Sequence, residues 1–328
     1  METLKIGIVG TGGMASVHFN NYQHIEGCQV VGLVGLPENS QLRAAEWGLN
    51  NYASIPEMVE AEKLDLVDVC TPTYLHKTQC IQALRAGANV LTEKPIALHL
   101  SDAEEMYAVA ESQGKQLFVG QVLQFTKEVE ILHKLVESQK FGKVLDALFE
   151  RLSACPTWIK NGWLFDREKS GLLPFDLHIH DLDIIVSLFG APQNFSYTCN
   201  GNVGKSYKEH CRFLYHYPNH TVAAEAAWFN ANFPFTARWR VYFERAVVVN
   251  DEKGLIAYPE GDKPIVFDTE EDEKIPTGIN LPPTGMFKTE LTHFLECVRR
   301  GEPSSKVGKD QVLTVVGLLE NILKSSEF

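Results

Sequence analysis

The residues with the clearest chemical potential lie in one short stretch, Asp176-Leu177-His178-Ile179-His180-Asp181-Leu182-Asp183. If this stretch is helical, Asp176, His180 and Asp183 stand at positions i, i+4 and i+7 and share one face of the helix. A carboxylate beside an imidazole can act as an acid–base pair, because histidine titrates close to neutral pH. The pattern therefore favours proton transfer by Asp176 and His180.

Two other interpretations of this stretch stay open. Aspartate and histidine are also metal ligands, but no second cluster in the chain would complete a coordination sphere, so no metal is expected. The same side chains could instead form a polar helix face with a structural role only. In that case the apolar stripe would consist of Leu182, Ile185, Val186 and Phe189.

A second group, Thr92-Glu93-Lys94-Pro95, directly follows a predicted strand at Asn89–Leu91. Ligands of a doubly wound sheet bind at the carboxyl ends of its strands. A lysine at such a position can donate a hydrogen bond to a substrate hydroxyl and stabilise a developing alkoxide. Lys94 is therefore a second candidate catalytic residue, with a plain surface lysine as the alternative.

A third group is Gly10-Thr11-Gly12-Gly13-Met14-Ala15, which fits the G-x-G-x-x-G/A pattern of dinucleotide-binding turns. It follows a predicted strand and opens a predicted helix, which is the context that the motif requires. Gly10 would permit the tight turn, Gly12 the approach of a pyrophosphate, and Ala15 close packing of helix and strand. NAD or NADP is the expected cofactor.

The position that should distinguish the two cofactors is occupied by Gly35. An acid at the end of the second strand usually binds the ribose hydroxyl of NAD, and a nearby basic residue accommodates the phosphate of NADP. Glu38 and Arg43 are the nearest groups that could serve either role. The choice of cofactor stays open.

The elements that must position these groups alternate in the first part of the chain, which predicts a doubly wound α/β domain with a parallel sheet. The predicted strands are Leu4–Gly10, Gln29–Val34, Leu66–Cys70, Asn89–Leu91 and Gln116–Val119. The predicted helices are Gly13–His24, Ser40–Trp47, Ile55–Glu62, Leu75–Arg85 and Ser101–Gln113. Ser101 precedes Glu104 by three residues, which is the spacing of a capping box.

After about residue 122 the pattern changes, and an antiparallel sheet is predicted between Asn194 and Phe267. Helices are predicted at Glu128–Gln139, Leu173–Phe189, Thr289–Arg300 and Gln311–Lys324, and a strand at Lys143–Arg151. We therefore predict a dinucleotide-binding Rossmann domain over residues 1–122 and a second, α+β domain over residues 123–328.

Composition excludes several classes of protein. The 328 residues include 30 Lys and Arg against 42 Asp and Glu, a formal charge of −12 that disfavours a nucleic-acid partner. No apolar run approaches the ~18 residues of a membrane span, and glycines interrupt the apolar amino terminus that a secretion signal would need. The seven cysteines are scattered without a C-x-x-C pair. Free thiols and a cytoplasmic location are therefore expected, rather than a zinc site or disulfides.

Four motifs occur in an order and spacing that cover nearly the whole chain, and through them the chain resembles the glucose–fructose oxidoreductase / inositol dehydrogenase (Gfo/Idh/MocA) family. They are Gly7-Ile8-Val9-Gly10-Thr11-Gly12-Gly13-Met14-Ala15, Cys70-Thr71-Pro72-Thr73-Tyr74-Leu75-His76, Glu93-Lys94-Pro95 and the Asp176–Asp183 stretch.

The resemblance implies a Rossmann domain followed by a domain with an open, mostly antiparallel sheet for substrate binding and oligomerisation. It implies an NAD(P)-dependent oxidoreductase that acts on a secondary alcohol or ketone of a sugar, cyclitol or related polyol. A homodimer or homotetramer is the implied assembly.

By motif, Lys94 matches the family's active-site lysine, His180 its catalytic histidine and Asp176 the accompanying acid. Whether Lys94 or His180 accepts the substrate proton stays open. Thr71, Pro72 and His76 match the loop along the nicotinamide ribose. The residues expected to bind the cofactor are Gly10, Thr11, Gly12, Gly13, Met14, Ala15, Thr71, Pro72, His76, Glu93 and Lys94.

The chain also departs from the family pattern. His178 stands where relatives often have glycine, and Gln124-Phe125 replaces a frequent Arg-Phe pair. An NAD-dependent glycoside hydrolase of the same fold and a non-catalytic NAD(P)-binding regulator are the alternative functions. Trp158, Trp163 and Phe165 are expected either to line a sugar pocket or to belong to the core.

Overall fold

A computed structural model, which describes residues 3–157 and 159–324, divides the chain into two units by their internal contacts. The first contains the chain up to Phe125 together with Glu271–Val316, and the second contains Thr126–Glu270 together with the chain from Gly317. Residues 271–316 thus group with the amino-terminal unit, whereas a single boundary after residue 122 would place them in the second domain. The assignment of nucleotide binding to residues 1–122 and of substrate binding to residues 123–328 stays a prediction.

The first unit is built on a parallel sheet, which confirms the predicted doubly wound domain. Its six strands lie in the order β3-β2-β1-β4-β5-β6, the arrangement of a Rossmann fold. The strand β3 was missed because its Asn-Asn-Tyr sequence has no apolar run. The strands are β1 (Leu4–Val9), β2 (Cys28–Val34), β3 (Asn50–Tyr52), β4 (Leu66–Val69), β5 (Asn89–Glu93) and β6 (Leu117–Gly120).

Five helices connect these strands, close to the predicted positions: α1 (Gly13–Tyr22), α2 (Pro37–Trp47), α3 (Ile55–Glu62), α4 (Thr73–Arg85) and α5 (Leu100–Ser112). The predicted capping box at Ser101 is wrong, because α5 already begins at Leu100 and the extended backbone of His99 caps it. A serine cap does occur on α3, where the Ser54 side chain accepts a hydrogen bond from the Glu57 amide.

A later helix completes the core of the first unit. A 3₁₀ turn at Val122–Phe125 follows β6, and helix α9 (Met286–Arg300), numbered in chain order, belongs to this unit although it comes from the second half of the chain. Phe294 of α9 stacks on Phe118 with ring centroids 5.0 Å apart and meets Phe125 edge-on at 5.5 Å. The core of the nucleotide-binding fold therefore needs residues far beyond residue 122.

The second unit is built on an eight-stranded sheet in the order β14-β13-β12-β11-β7-β10-β9-β8. The strands β7 and β10 are parallel, and the other neighbouring pairs are antiparallel, as predicted for this part of the chain. The strands are β7 (Val144–Ala154), β8 (Asn194–Asn200), β9 (His210–His216), β10 (Thr221–Phe229), β11 (Thr236–Phe243), β12 (Ala246–Asp251), β13 (Gly254–Pro259) and β14 (Ile265–Val266).

Helices of the second unit are α6 (Lys127–Glu137), the single turn α7 (Arg167–Ser170) and α8 (Ile179–Phe189), and α10 (Lys309–Lys324) ends the described chain. Helix α8 packs on β7 and β10. Along β9 and β11, buried and accessible side chains alternate, which is typical of a sheet with one packed and one open face. The open sheet therefore agrees with the expected fold.

Strand β7 carries an arginine–carboxylate pair on each of its faces. Arg151 donates two hydrogen bonds to the Asp181 carboxylate of α8, at 3.1 and 2.8 Å, and both side chains are buried. The neighbouring Glu150 points the other way and accepts two hydrogen bonds from Arg238, whose side chain is 47% exposed. The buried pair fixes α8, and with it His180, against the sheet.

The expectation that all cysteines are free thiols is wrong for one pair. Cys199 and Cys211 lie directly opposite each other on β8 and β9 and form a disulfide. The chain separation of 12 residues carries no recognisable disulfide spacing, so only the strand register brings the two together.

Within residues 3–157 and 159–324, no helix combines the length and apolar character that a membrane crossing demands.

Candidate active site

The glycine-rich turn between β1 and α1 has the shape that a dinucleotide needs. Gly10 has a φ of +120°, and a Cβ there would lie 2.6 Å from the Cys70 carbonyl oxygen. Gly12 is exposed, and a Cβ on it would meet no atom within 4 Å. Helix α1 has no acidic residue in its first turn, so its positive end is not neutralised. The turn therefore fits a pyrophosphate, which the main-chain N–H groups of Gly12, Gly13 and Met14 would hold.

The structure gives a steric reason for the missing acid at the end of β2. A Cβ on Gly35 would lie 2.7 Å from Cγ2 of Thr11 and 3.2 Å from Cβ of Ser40. No larger side chain fits there without a shift of Thr11. Of the two nearby charged groups, Arg43 is engaged with Glu46 at 2.9 Å.

The loops that follow β4 and β5 are tied together by a buried histidine. His76 of α4 lies with Nδ1 2.8 Å from the Pro95 carbonyl oxygen and Nε2 2.7 Å from the Thr71 carbonyl oxygen. Burial lowers the pKa of His76, although both hydrogen bonds to carbonyl oxygens act in the opposite direction. Thr71 and Pro72 are partly exposed beside it, whereas the His76 ring is enclosed and holds the two loops in place.

Lys94 stands out in its segment by exposure. From Val90 to Leu98 every residue is buried except Lys94, which is partly exposed. Its main-chain N–H donates to Oε2 of the buried Glu93 at 3.1 Å. The end of β5 thus presents one ammonium group at the edge where a Rossmann sheet binds its ligands.

The stretch around His180 is helical, but not one continuous α-helix. Residues Pro174–His178 form a π-turn, in which the Ile179 amide bonds back to the Pro174 carbonyl, and α8 follows from Ile179. The predicted face of i, i+4 and i+7 positions therefore does not hold through Asp183, which is buried. π-Turns within helices are frequent at functional sites.

Exposure separates two side chains from the rest of this stretch. Between Gly171 and Val186, every residue is buried except Asp176 and His180, which are both partly exposed. These are the two residues that the sequence assigns to proton transfer. Asp181 and Asp183 are buried, and Asp181 forms an ion pair with Arg151.

The second imidazole of the stretch has a packing role. His178 stacks on Phe213 with ring centroids 3.8 Å apart, and its Nε2 lies 2.6 Å from the Tyr215 hydroxyl. Burial, with the positive charge of Arg151, lowers the pKa of His178 to about 3. The ring is therefore neutral at physiological pH.

This lowered pKa makes folding sensitive to acid. Between pH 6.5 and about 3 the unfolded chain binds a proton at residue 178 that the folded chain does not, so stability falls as the pH falls. From pH 7 to pH 5 the wild type should lose about 2 kcal/mol more than the His178→Gln variant. Urea unfolding of both proteins at the two pH values checks this, and equal losses would show that His178 protonates normally.

The predicted sugar-stacking aromatics are only partly placed. Trp158 lies outside the described residues. Phe165 stacks on Tyr207 at 5.0 Å and meets the fully buried Trp228 edge-on at 5.8 Å, while Trp163 is partly exposed. A wall formed by Trp163 and Phe165 stays a prediction.

Sequence reasoning missed a buried polar cluster in the first unit. His18 and Tyr22 of α1 meet Asp68 of β4, with Glu93 of β5 beside them. The available signal was an aspartate within the otherwise apolar strand Leu66–Val69, which needs a partner when the strand is buried on both faces.

Comparison with known proteins agrees with this architecture. Residues 4–121 match the family model of the Gfo/Idh/MocA "Oxidoreductase family, NAD-binding Rossmann fold", and residues 129–249 match the "GFO/IDH/MocA C-terminal domain".

Two curated relatives illustrate the range of activities among similar proteins. The chain is 34% identical over 204 residues to 2,7-anhydro-N-acetylneuraminate hydratase of Mediterraneibacter gnavus, which covers 62% of this chain and 54% of that protein. It is 30% identical over 191 residues to glucose-6-phosphate 3-dehydrogenase of Bacillus subtilis, covering 56% and 53%. The chain thus spans about half the length of the curated relatives it matches.

A solved structure shows that the fold is shared over the full length. Levoglucosan dehydrogenase, in complex with NADH and levoglucosan, superposes with a TM-score of 0.84 at 18% identity, covering 99% of this chain and 97% of the other. From the Rossmann strand order, the glycine-rich turn, the mixed sheet and both family models, the chain belongs to the Gfo/Idh/MocA oxidoreductase family, with an NAD-binding Rossmann fold at its amino terminus.

Proposed function

We propose that this protein is an NAD(P)-dependent oxidoreductase that transfers hydride between the nicotinamide and a secondary alcohol or ketone of a sugar, cyclitol or related polyol. One observation carries the proposal. In two otherwise buried segments, the accessible side chains are Lys94 in one and Asp176 and His180 in the other. Burying a charged group costs free energy, and these side chains stay accessible in segments whose other residues are buried, so they are available to contact a ligand.

The residues have distinct roles in the proposed reaction. His180 takes the proton of the substrate hydroxyl during oxidation and returns it during reduction. Asp176 orients the imidazole and favours its charged form, and Lys94 donates a hydrogen bond to the substrate oxygen. The bound NAD or NADP supplies the acceptor or donor of hydride.

The substrate class rests on the relatives. Glucose-6-phosphate 3-dehydrogenase and levoglucosan dehydrogenase are both named for carbohydrate substrates. The stacked Phe165 and Tyr207 rings, both partly exposed, could pack against the apolar face of a sugar ring. The open face of the second sheet bears Leu214, Tyr242 and Tyr258, which are at least one third exposed, and we assign it to a homodimer or homotetramer.

A second candidate is favoured by the relative with 34% identity, which is named a hydratase. Addition of water involves no net oxidation, so an enzyme of this kind that used its nicotinamide would have to reduce and reoxidise it within one turnover. An NAD-dependent glycoside hydrolase would show the same redox balance.

One set of assays separates these functions. Inositols, aldoses, sugar acids and anhydro sugars, including 2,7-anhydro-N-acetylneuraminate, are incubated with NAD or NADP while the absorbance of the reduced cofactor and the sugar products are followed. The proposed dehydrogenase gives reduced cofactor in a one-to-one ratio with oxidised sugar. The redox-neutral enzyme consumes sugar without accumulating reduced cofactor.

The Lys94→Met variant is the matched control for these assays. It should still bind NADH, because the glycine-rich turn is intact, but turn over roughly 10²–10³-fold more slowly, as on loss of one oxyanion donor. Binding of NADH by both proteins without any sugar conversion would contradict the proposal and favour a regulator.

A further inference from the structure

The buried cluster in the first unit brings five ionisable side chains together. His18 and Tyr22 come from α1, Asp68 from β4, Glu93 from β5 and Cys70 from the residue after β4, and each is less than a tenth exposed. His18 and Asp68 are completely enclosed. Such a concentration of charge in a core is costly unless the groups satisfy one another.

The His18 ring lies between two carboxylates. Its Nδ1 lies 2.8 Å from Oδ2 of Asp68, and its Nε2 lies 3.1 Å from Oε1 of Glu93, the second being a charge contact rather than an aligned hydrogen bond. Oδ2 of Asp68 accepts a hydrogen bond from Nδ1, and the 3.1 Å approach of Nε2 to the Glu93 carboxylate is attractive only if Nε2 carries a proton as well. His18 is therefore an imidazolium between two carboxylates.

The electrostatics agree with this geometry. Burial by itself lowers the pKa of His18, but the charge and hydrogen bond of Asp68, with a smaller contribution from Cys70, raise it well above 6.5. Tyr22 donates a hydrogen bond to Asp68 at 3.0 Å, and the Cys70 thiol donates to the other oxygen of Asp68 at 3.4 Å. His18 also packs against the uncharged ring of Phe287 from α9, with the ring centroids 6.2 Å apart.

A metal ion is the competing explanation. The ligand atoms of His18, Asp68 and Cys70 lie within 4.8 Å of one another. However, two ligands of a tetrahedral zinc are about 3.3 Å apart, whereas Nδ1 and Oδ2 are 2.8 Å apart, which is a hydrogen-bond distance. The Tyr22 and Cys70 hydrogens also point at the Asp68 carboxylate. Direct pairing therefore accounts for the cluster.

The cluster leads to Lys94. Glu93 uses Oε1 for His18 and Oε2 for the main-chain N–H of Lys94. On the other side of Lys94, His76 contacts the carbonyl oxygen of Pro95. Each neighbour of Lys94 is thus held by a buried histidine.

We propose that His18 is a positioning residue, which as an imidazolium holds the Glu93 carboxylate and through it the main chain of Lys94. The expected effect on turnover rests on the proposed function of Lys94. The anchoring of the Lys94 main chain does not, because it can be measured in the protein without cofactor or substrate. Loss of the anchor should let the end of β5 move, and displacements of about 1 Å can cost up to 10²-fold in rate.

The test replaces the histidine with side chains whose single amide group lies near the position of one ring nitrogen or the other. His18→Asn retains a donor near the position of Nδ1, toward Asp68, and loses the contact with Glu93. His18→Gln reaches the position of Nε2, toward Glu93. Tyr22→Phe is the matched control, because it removes a hydrogen bond to Asp68 without touching Glu93.

The first readout is amide hydrogen exchange at Lys94 in the protein without cofactor. His18→Asn should speed exchange roughly tenfold or more, because hydrogen bonds to charged groups are strong. Tyr22→Phe should leave exchange near the wild-type rate, and His18→Gln, whose amide reaches toward Glu93 without a charge, should speed exchange less than His18→Asn does. If His18→Asn does not fold, Glu93→Gln removes the same ion pair from the other side and should act in the same direction.

The second readout is turnover on a substrate found as above. His18→Asn should lower kcat roughly 10–100-fold with little change in KM for the cofactor, and His18→Gln should recover part of the loss. Unchanged Lys94 exchange in His18→Asn, a neutral His18 ring at pH 7 by ¹⁵N NMR, or equal kcat in His18→Asn and Tyr22→Phe would each overturn the proposal. If the protein turns over no sugar, that result counts against the proposed function alone. The exchange rate at Lys94 still decides whether His18 anchors Glu93.

Discussion

The His180→Ala variant should turn over roughly 10²–10⁴-fold more slowly than the wild type, which is the usual contribution of a general acid–base group. The proposed reaction moves a hydroxyl proton in the same step as hydride, and alanine offers no acceptor at that position. NADH binding should stay unchanged, because the dinucleotide turn belongs to the other unit. Steady-state kinetics with cofactor titration by fluorescence measure both quantities.

Controls decide whether this loss reflects chemistry or folding. His210→Ala removes a half-buried histidine of the same unit that pairs with Glu225 on the other face, and it should keep full activity. Added imidazole should restore part of the activity of His180→Ala but not of Lys94→Met. Full turnover of His180→Ala would remove His180 from the proton transfer and leave Lys94 as the proton acceptor.

The Arg151→Ala variant should be less stable by about 3–5 kcal/mol, as is usual when one partner of a buried ion pair is removed. The substitution leaves the Asp181 carboxylate enclosed without its two hydrogen bonds. Urea unfolding followed by circular dichroism gives the free energy of unfolding.

The adjacent pair on β7 provides a matched control. Arg238→Ala breaks a pair of the same bidentate geometry with Glu150, but on the open face, and should cost less than about 1 kcal/mol. A double variant, Arg151→Met with Asp181→Leu, should recover most of the stability, because no charge remains buried. Equal losses for Arg151→Ala and Arg238→Ala would show that burial does not decide the strength of the pair.

Much of the first unit could be predicted from the sequence, because its signals are local. A glycine-rich turn after an apolar strand, a Glu-Lys-Pro segment and regular strand–helix alternation each depend on residues close together in the chain. The parallel sheet, the order of its helices and the family were therefore correct. The capping box at Ser101 failed because one more residue, Leu100, joined the helix and moved its start.

The proposed catalytic residues, Lys94, Asp176 and His180, were chosen by residue type and spacing, since side chains of those kinds are rare in apolar segments, and the structure shows that all three are partly exposed. Contacts between distant segments had no such signal. The disulfide between Cys199 and Cys211 depends on the register of β8 and β9, and the return of α9 to the first unit depends on core packing.

The sequence alone determined which side chains could take part in chemistry, because the local residue pattern indicates whether a segment is a strand, a helix or a turn. Tertiary structure decided which of them reach the surface and what holds them. Asp183 is buried whereas Asp176 and His180 stay accessible, and the convergence of three elements made His18 an ion-pair partner of Glu93. The reason is physical. Burial and charge pairing depend on contacts between segments that are far apart in the chain, and a short motif contains no information on those contacts.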